Sequence, residues 1–61
     1  MPIVQIDLLE GRTVEQKREL VTKVTEAISE SVNCSKDNVT IILRDMPTHH
    51  LAKAGVLKCD E

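Results

Sequence analysis

The residue with the clearest chemical potential stands at the start of the chain, where Pro2 follows Met1. An initiator methionine before a small residue is readily removed, and Pro2 then carries a free secondary amine. An ordinary α-amino group has a pKa of about 7.7 to 8.0, and burial or a nearby cation lowers that value. A neutral amine is a base, and the proline ring holds its nitrogen in one direction. Pro2 is therefore a candidate general base once Met1 is removed, and the alternative interpretation is that it only begins a strand.

Other side chains that often carry chemistry are less promising. His49 and His50 are adjacent and lack a Cys or acidic partner at metal-ligand spacing, so we expect no metal site. Cys34 and Cys59 are the two cysteines of the chain, and we interpret them as reduced thiols rather than as a disulfide. We expect the protein to need no cofactor.

Two strands and a helix must position Pro2. The segment 3–9 alternates Val4, Ile6 and Leu8 with polar residues, which predicts a half-buried strand. Thr13 and Gln16 have the spacing of a capping box, and the helix that they open is predicted over residues 14–32. Its buried stripe has the three- and four-residue spacing of a helix: Leu20, Val21, Val24, Ala27, Ile28 and Val32.

The second strand and the end of the chain complete the predicted organisation. Asn33 favours the left-handed conformation that ends a helix, and a β-branched run predicts a strand over residues 39–45. A strand, a helix and a strand form a crossover with parallel strands, so the predicted fold class is α/β. Pro47 stops regular structure, and residues 47–61 are predicted to form an arm. We expect one domain, residues 1–61.

The small size of the chain predicts assembly. It has 61 residues and no Phe, Tyr or Trp, and a chain of this length buries only about 60% of its unfolded surface. Chains below about 70 residues usually gain stability from disulfides, a metal or other subunits. A two-stranded sheet with one helix also leaves one face and both edges uncovered. We therefore expect a homo-oligomer.

Composition excludes several classes of partner. The formal net charge is −2, both signs are interspersed, and no aromatic residue is present for base stacking, so we expect no nucleic-acid surface. No apolar run approaches the roughly 18 residues of a membrane span, and no hydrophobic leader precedes the first strand. The expected protein is cytoplasmic and acts on a small molecule.

Motifs along nearly the whole chain resemble the 4-oxalocrotonate tautomerases. The resemblance begins with Pro2-Ile3-Val4-Gln5-Ile6, Leu9-Glu10-Gly11-Arg12 and Glu15-Gln16-Lys17, and it continues through Val24, Glu26-Ala27-Ile28-Ser29, Val39, Met46, His50 and Gly55. The resemblance implies a β-α-β unit that pairs into a dimer with a four-stranded sheet. It also implies that three dimers form a hexamer, in agreement with the expectation from size.

The resemblance also implies a mechanism. The N-terminal proline of this family takes the hydroxyl proton of a 2-hydroxydienoate and returns a proton to a distant carbon, so Pro2 is the expected base. Arg12 matches the arginine that holds a substrate carboxylate, for which its planar guanidinium is suited. Leu9 matches a residue that lines the pocket.

Two positions depart from the family pattern. Thr40 stands where the family has a second arginine, which meets the 2-hydroxy or oxo group and the adjoining carboxylate from another subunit. Leu51 replaces the phenylalanine of the pocket. Loss of an arginine in such an electrostatic role costs about 100- to 1000-fold in rate. Arg44 and Lys53 are candidate replacement cations, each with a solvated surface residue as the alternative interpretation.

Three functions follow from these observations. The first is an isomerase that catalyses enol-keto tautomerisation of a small 2-hydroxydienoate or enolpyruvate-type acid, with Pro2 and Arg12 as catalytic residues. The second is a hydratase or dehalogenase of the same superfamily. The third is a weakly active or non-catalytic structural subunit of a mixed hexamer. We expect the first, with Leu9, Thr40 and Leu51 in contact with the substrate.

Overall fold

The computed structural model describes all 61 residues and contains the predicted β-α-β unit. Strand β1 (Ile3–Leu9) and strand β2 (Thr40–Met46) are parallel, with Ile3 opposite Thr40 and Leu9 opposite Met46. Helix α1 (Val14–Val32) connects them. The α/β fold class is therefore confirmed.

Both ends of α1 are fixed by local hydrogen bonds. The side chain of Thr13 accepts from the Gln16 N–H at 3.1 Å, and the Gln16 side chain accepts from the Thr13 N–H at 2.9 Å, which completes the capping box. Asn33 ends the helix in the left-handed conformation, with φ 56°. A 3-10 turn at Lys36–Asn38 then precedes β2. The N–H of Val39 bonds back to this turn, so β2 begins one residue later than expected.

The two faces of the sheet differ in exposure. Val4, Ile6 and Leu8 of β1 are half-buried, as are Ile41 and Leu43 of β2, whereas the residues between them are exposed. The helix lies on the half-buried face, where Leu20 of the helix and Leu8 of β1 line the same groove and Lys17 pairs with Asp45. The opposite face carries exposed Ile3, Ile42 and polar side chains.

The isolated chain has no complete core. No residue is fully buried, and the accessible surface is 4756 Å², against about 3,950 Å² for a folded monomer of this mass. The radius of gyration is 14.7 Å, whereas about 10.5 Å is usual for this length. The surplus of about 800 Å² matches what one partner loses in a standard protein interface.

The C-terminal arm contains a hairpin that the sequence did not predict. Strands β3 (Ala52–Lys53) and β4 (Val56–Leu57) are antiparallel. Their two-residue loop has positive φ at both positions, 53° at Ala54 and 83° at Gly55, as in the tight turns that match strand twist. Every residue from Leu51 onward is exposed.

No helix of the structure is long and apolar enough to cross a membrane.

Candidate active site

Pro2 lies at the beginning of β1 and is held by β2. Its carbonyl accepts a hydrogen bond of 3.0 Å from the N–H of Thr40, the first residue of β2. Pro2 is half-buried, whereas Met1 is 86% exposed. Removal of Met1 would therefore keep the hydrogen bond between the Pro2 carbonyl and Thr40, and it would expose the Pro2 nitrogen.

Arg12 lies in the loop between β1 and α1. Gly11 precedes it with φ 115°, a conformation that glycine adopts without a steric penalty. Arg12 lines a groove of about 260 Å³ between the end of β1 and the first turns of the helix. The other residues of this groove are Leu8, Gln16, Lys17 and Leu20. The guanidinium thus stands at an apolar surface that suits the carbon chain of a small acid.

Most basic side chains of the protein are already paired. The chain has eight Lys and Arg residues, and six of them lie within 4.0 Å of a carboxylate. Arg44, a candidate replacement cation, lies 3.8 Å from Asp7 on the neighbouring strand. Arg12 and Lys53 are the two without such a partner. These two are therefore the cations most free to bind a substrate anion.

The candidate residues fall at opposite ends of the sheet. Pro2 and Thr40 lie at the beginning of the parallel strands, whereas Leu9 and Arg12 lie at or beyond the end of β1. Seven residues of strand rise by about 23 Å, which is far more than one arginine side chain spans. Within one chain, Pro2 and Arg12 cannot contact the same small molecule.

Leu9 and Leu51 lie away from the groove. Leu9 follows Leu8 in β1, and strand alternation directs the two side chains to opposite faces. Leu51 follows a 3-10 turn at Thr48–His50, is 37% exposed, and has a carbonyl that accepts from the Lys58 N–H at 2.8 Å. Leu8 therefore lies beside Arg12, whereas Leu9 and Leu51 do not line the groove.

Three helix residues beside Arg12, namely Gln16, Lys17 and Leu20, are not among the site residues that the sequence predicts. Gln16 and Leu20 were assigned to the helix cap and the buried stripe, and Lys17 was given no role. Their four-residue spacing places Gln16 and Leu20 on one helix face, and this spacing was the available signal. The pairing of Lys17 with Asp45, 28 residues away, has no signal in the sequence.

The histidines and cysteines of the chain do not line the groove of Arg12. No three His, Cys, Asp or Glu side chains are placed to hold a metal ion. His49 and His50 pack edge to face, with ring centroids 4.4 Å apart. Cys34 and Cys59 are both free thiols.

The sequence of this chain is similar to those of known enzymes. Residues 2–61 match the family model described as Tautomerase enzyme. A protein of Bacillus subtilis named 2-hydroxymuconate tautomerase is 47% identical over 55 residues, which cover 90% of this chain and 89% of that protein.

Solved structures give the same result at the level of the fold. A 4-oxalocrotonate tautomerase isozyme from Methylibium petroleiphilum is 41% identical, with a TM-score of 0.91 over 95% of this chain and 91% of the other. A subunit of a heterohexameric 4-oxalocrotonate tautomerase from Chloroflexus aurantiacus is 28% identical. Its TM-score is 0.92 over 98% of this chain and 97% of the other.

Proposed function

The chain belongs to the 4-oxalocrotonate tautomerase family of the tautomerase superfamily, and from this membership we propose a specific reaction. The substrate is a small 2-hydroxydienoate or an enolpyruvate-type acid. The Pro2 amine, freed by removal of Met1, takes the hydroxyl proton of the enol and returns a proton to a carbon of the conjugated chain. The product is the keto isomer, so no electron or group is exchanged with a second reactant.

The observation that best supports this proposal is the unpaired Arg12 beside an apolar groove. A guanidinium can hold a carboxylate through two parallel hydrogen bonds. It also stabilises the negative charge that moves along the conjugated chain as the enol loses its proton. Leu8 and Leu20 of the groove offer an apolar surface to the carbon chain of the substrate.

The uncharged residue at position 40, where the family has its second arginine, supports a substrate with one carboxylate. Thr40 is the residue bonded to the Pro2 carbonyl, and its side chain is an uncharged hydroxyl. Arg44, four residues further along the strand, is engaged by Asp7. We therefore expect monocarboxylates to be better substrates than dicarboxylates. Lys53 is the remaining unpaired cation, and it is the candidate for a second contact.

The distance between Pro2 and Arg12 supports a further part of the proposal, in which each active site is shared between two copies. If two chains pair with their strands antiparallel, the beginning of one sheet lies near the end of the other. Pro2 of one copy then approaches Arg12 of its partner, and the open edges join into a four-stranded sheet. This arrangement would also cover part of the exposed surface. We propose a homohexamer made of three such dimers, acting in the cytoplasm.

The test is to measure ketonisation of phenylenolpyruvate and of 2-hydroxymuconate by ultraviolet absorbance, with wild type and with Pro2→Ala. 2-Hydroxymuconate is included because a relative that is 47% identical is named for it. We expect Pro2→Ala to lose at least about 100-fold in kcat/KM. Equal rates for the two proteins would exclude Pro2 as the base. A higher kcat/KM on 2-hydroxymuconate than on phenylenolpyruvate would exclude the monocarboxylate preference.

A second measurement determines the composition of the assembly. The heterohexameric relative has more than one kind of chain, so the purified protein should be weighed by native mass spectrometry. An active hexamer made from this chain alone is the expected result. An inactive or incomplete assembly that gains activity only with a second, related chain would contradict the proposal of a homohexamer.

A further inference from the structure

One ion pair joins the helix to the sheet, and it lies next to Arg12. The Lys17 ammonium is 2.5 Å from the Asp45 carboxylate near the end of β2. The other five ion pairs either connect nearby residues or link different elements away from the groove. The Lys17 side chain is 27% exposed, and it is the least exposed side chain in any of the six pairs.

The side chain of Lys17 also lines the groove of Arg12. Two uncompensated cations in one small groove repel each other and compete for the same anion. Asp45 compensates the charge of Lys17, so Arg12 remains the only free cation of the groove. The same contact fixes the aliphatic part of Lys17 as a wall of the groove.

The loop that carries Arg12 is also hydrogen-bonded, through Glu10, to the end of β2 and to the residues that follow it. The Glu10 N–H donates to the Met46 carbonyl at 2.9 Å, and the Glu10 carboxylate accepts from the Thr48 N–H at 3.4 Å. Arg12 therefore lies between two attachments to residues 45–48, one at Glu10 and one at Lys17. Both attachments limit the positions that the Arg12 guanidinium can adopt.

We propose that Lys17 and Asp45 are positioning residues for Arg12, which hold it as the single free cation of the carboxylate-binding groove. This inference rests on the proposed function, because it assigns the groove to the substrate carboxylate. Neither residue needs to contact the substrate. Their effect on the reaction must therefore pass through Arg12, and this requirement makes the inference testable.

The test is a double-mutant cycle with phenylenolpyruvate, in which kcat and KM are measured separately. Asp45→Asn is expected to lower kcat/KM about tenfold, through a higher KM and a lower kcat, because Arg12 both holds the carboxylate and stabilises the charge that develops in the transition state. In an Arg12→Ala background, the same substitution should change kcat/KM by less than about twofold, since the group it positions is absent. Lys17→Arg, which keeps the pair, should restore most of the affinity lost in Lys17→Met.

The matched control is Glu19→Gln, which removes an ion pair from the same helix on its exposed side. It should leave kcat and KM unchanged. If Asp45→Asn does not fold, Lys17→Met replaces it in the cycle.

Two results would overturn the inference. Equal losses with and without Arg12 would show that the pair only stabilises the fold, and a fall in KM would show that Lys17 itself binds the anion once it is released. A wild type without activity, or a Pro2→Ala variant as active as wild type, would instead overturn the proposed function. The two failures are therefore distinguishable.

Discussion

Arg12 differs from most basic residues of this protein because no carboxylate neutralises it. A free guanidinium beside an apolar groove is suited to bind the carboxylate of a small acid. Arg18 provides a comparison only six residues away, since it is paired with Glu15 on the exposed side of the helix. The two arginines share a charge but should differ in function.

We predict that Arg12→Ala lowers kcat/KM for phenylenolpyruvate by about 100-fold, because it removes a charge-assisted contact in the range of 2 to 3 kcal/mol. Arg18→Ala should leave kcat/KM within about twofold of wild type, since surface ion pairs contribute little. Steady-state kinetics on the two variants make the comparison. Similar losses in both would mean that general positive charge, rather than Arg12, attracts the substrate.

The ion pair between Glu19 and Lys23 shifts the pKa values of both residues. The hydrogen bond from Lys23, followed by the attraction of its charge, lowers the pKa of Glu19, and the same contact raises the pKa of Lys23. The contribution of Glu19 is complete above its ordinary pKa and is lost as the pH falls through the lowered value. That of Lys23 is complete below its ordinary pKa and is lost as the pH rises through the raised value.

Both partners are fully solvated, so the pair should matter little. We predict that Glu19→Gln leaves the urea midpoint at pH 7 within experimental error. Any small difference from wild type should vanish in acid, where Glu19 is protonated. Urea titrations at pH 7 and in acid measure both points. A clear loss of stability at pH 7 would mean that this helix face is covered in the assembly.

At the scale of elements, the cap of α1 has a double importance. Thr13 starts the helix and also ends the loop of Arg12, because it is the next residue. Its side chain satisfies one of the free N–H groups at the helix start. The cap therefore affects both the stability of the helix and the position of the guanidinium.

We predict that Thr13→Ala lowers the free energy of unfolding by about 1 kcal/mol per chain. Thr13→Ser, which keeps the hydroxyl, should lose much less and serves as the control. Urea denaturation followed by circular dichroism measures the difference. If alanine and serine behave alike, the methyl group of Thr13 rather than its hydrogen bond is the stabilising feature.

The capping box, the helix and the two strands could be predicted because their signals are local. The hairpin of the arm could not, because Ala54 adopts a positive φ that glycine or asparagine usually supplies. The number of unpaired cations in the groove could not be predicted from the sequence either. Whether Arg12 or Arg44 is free depends on pairs between distant segments, such as Asp7 with Arg44, and a single sequence carries no record of them.

At the scale of the whole molecule, the sharing of sites is the main expectation. Pro2→Ala and Arg12→Ala homo-oligomers each have every site damaged. After unfolding and joint refolding of equal amounts, random assembly places an intact Pro2 opposite an intact Arg12 in about one quarter of the sites. We therefore predict recovery of about one quarter of the wild-type activity.

The control is a mixture of Pro2→Ala with the double variant Pro2→Ala/Arg12→Ala, which contains no intact Pro2 and should stay inactive. Activity is measured before and after refolding, and native mass spectrometry verifies that mixed oligomers form. Mixed oligomers without recovered activity would mean that both groups of one site come from the same chain, contrary to the length of β1.

The separation of Pro2 and Arg12 along β1 also has a genetic consequence. Two alleles of this gene, one defective in Pro2 and one in Arg12, should complement each other in a cell that carries both, although each alone gives a null phenotype. An allele with both defects should be partly dominant, since it damages its own sites and those of wild-type neighbours. Inheritance patterns in a partial diploid could thus reveal a distance within the protein.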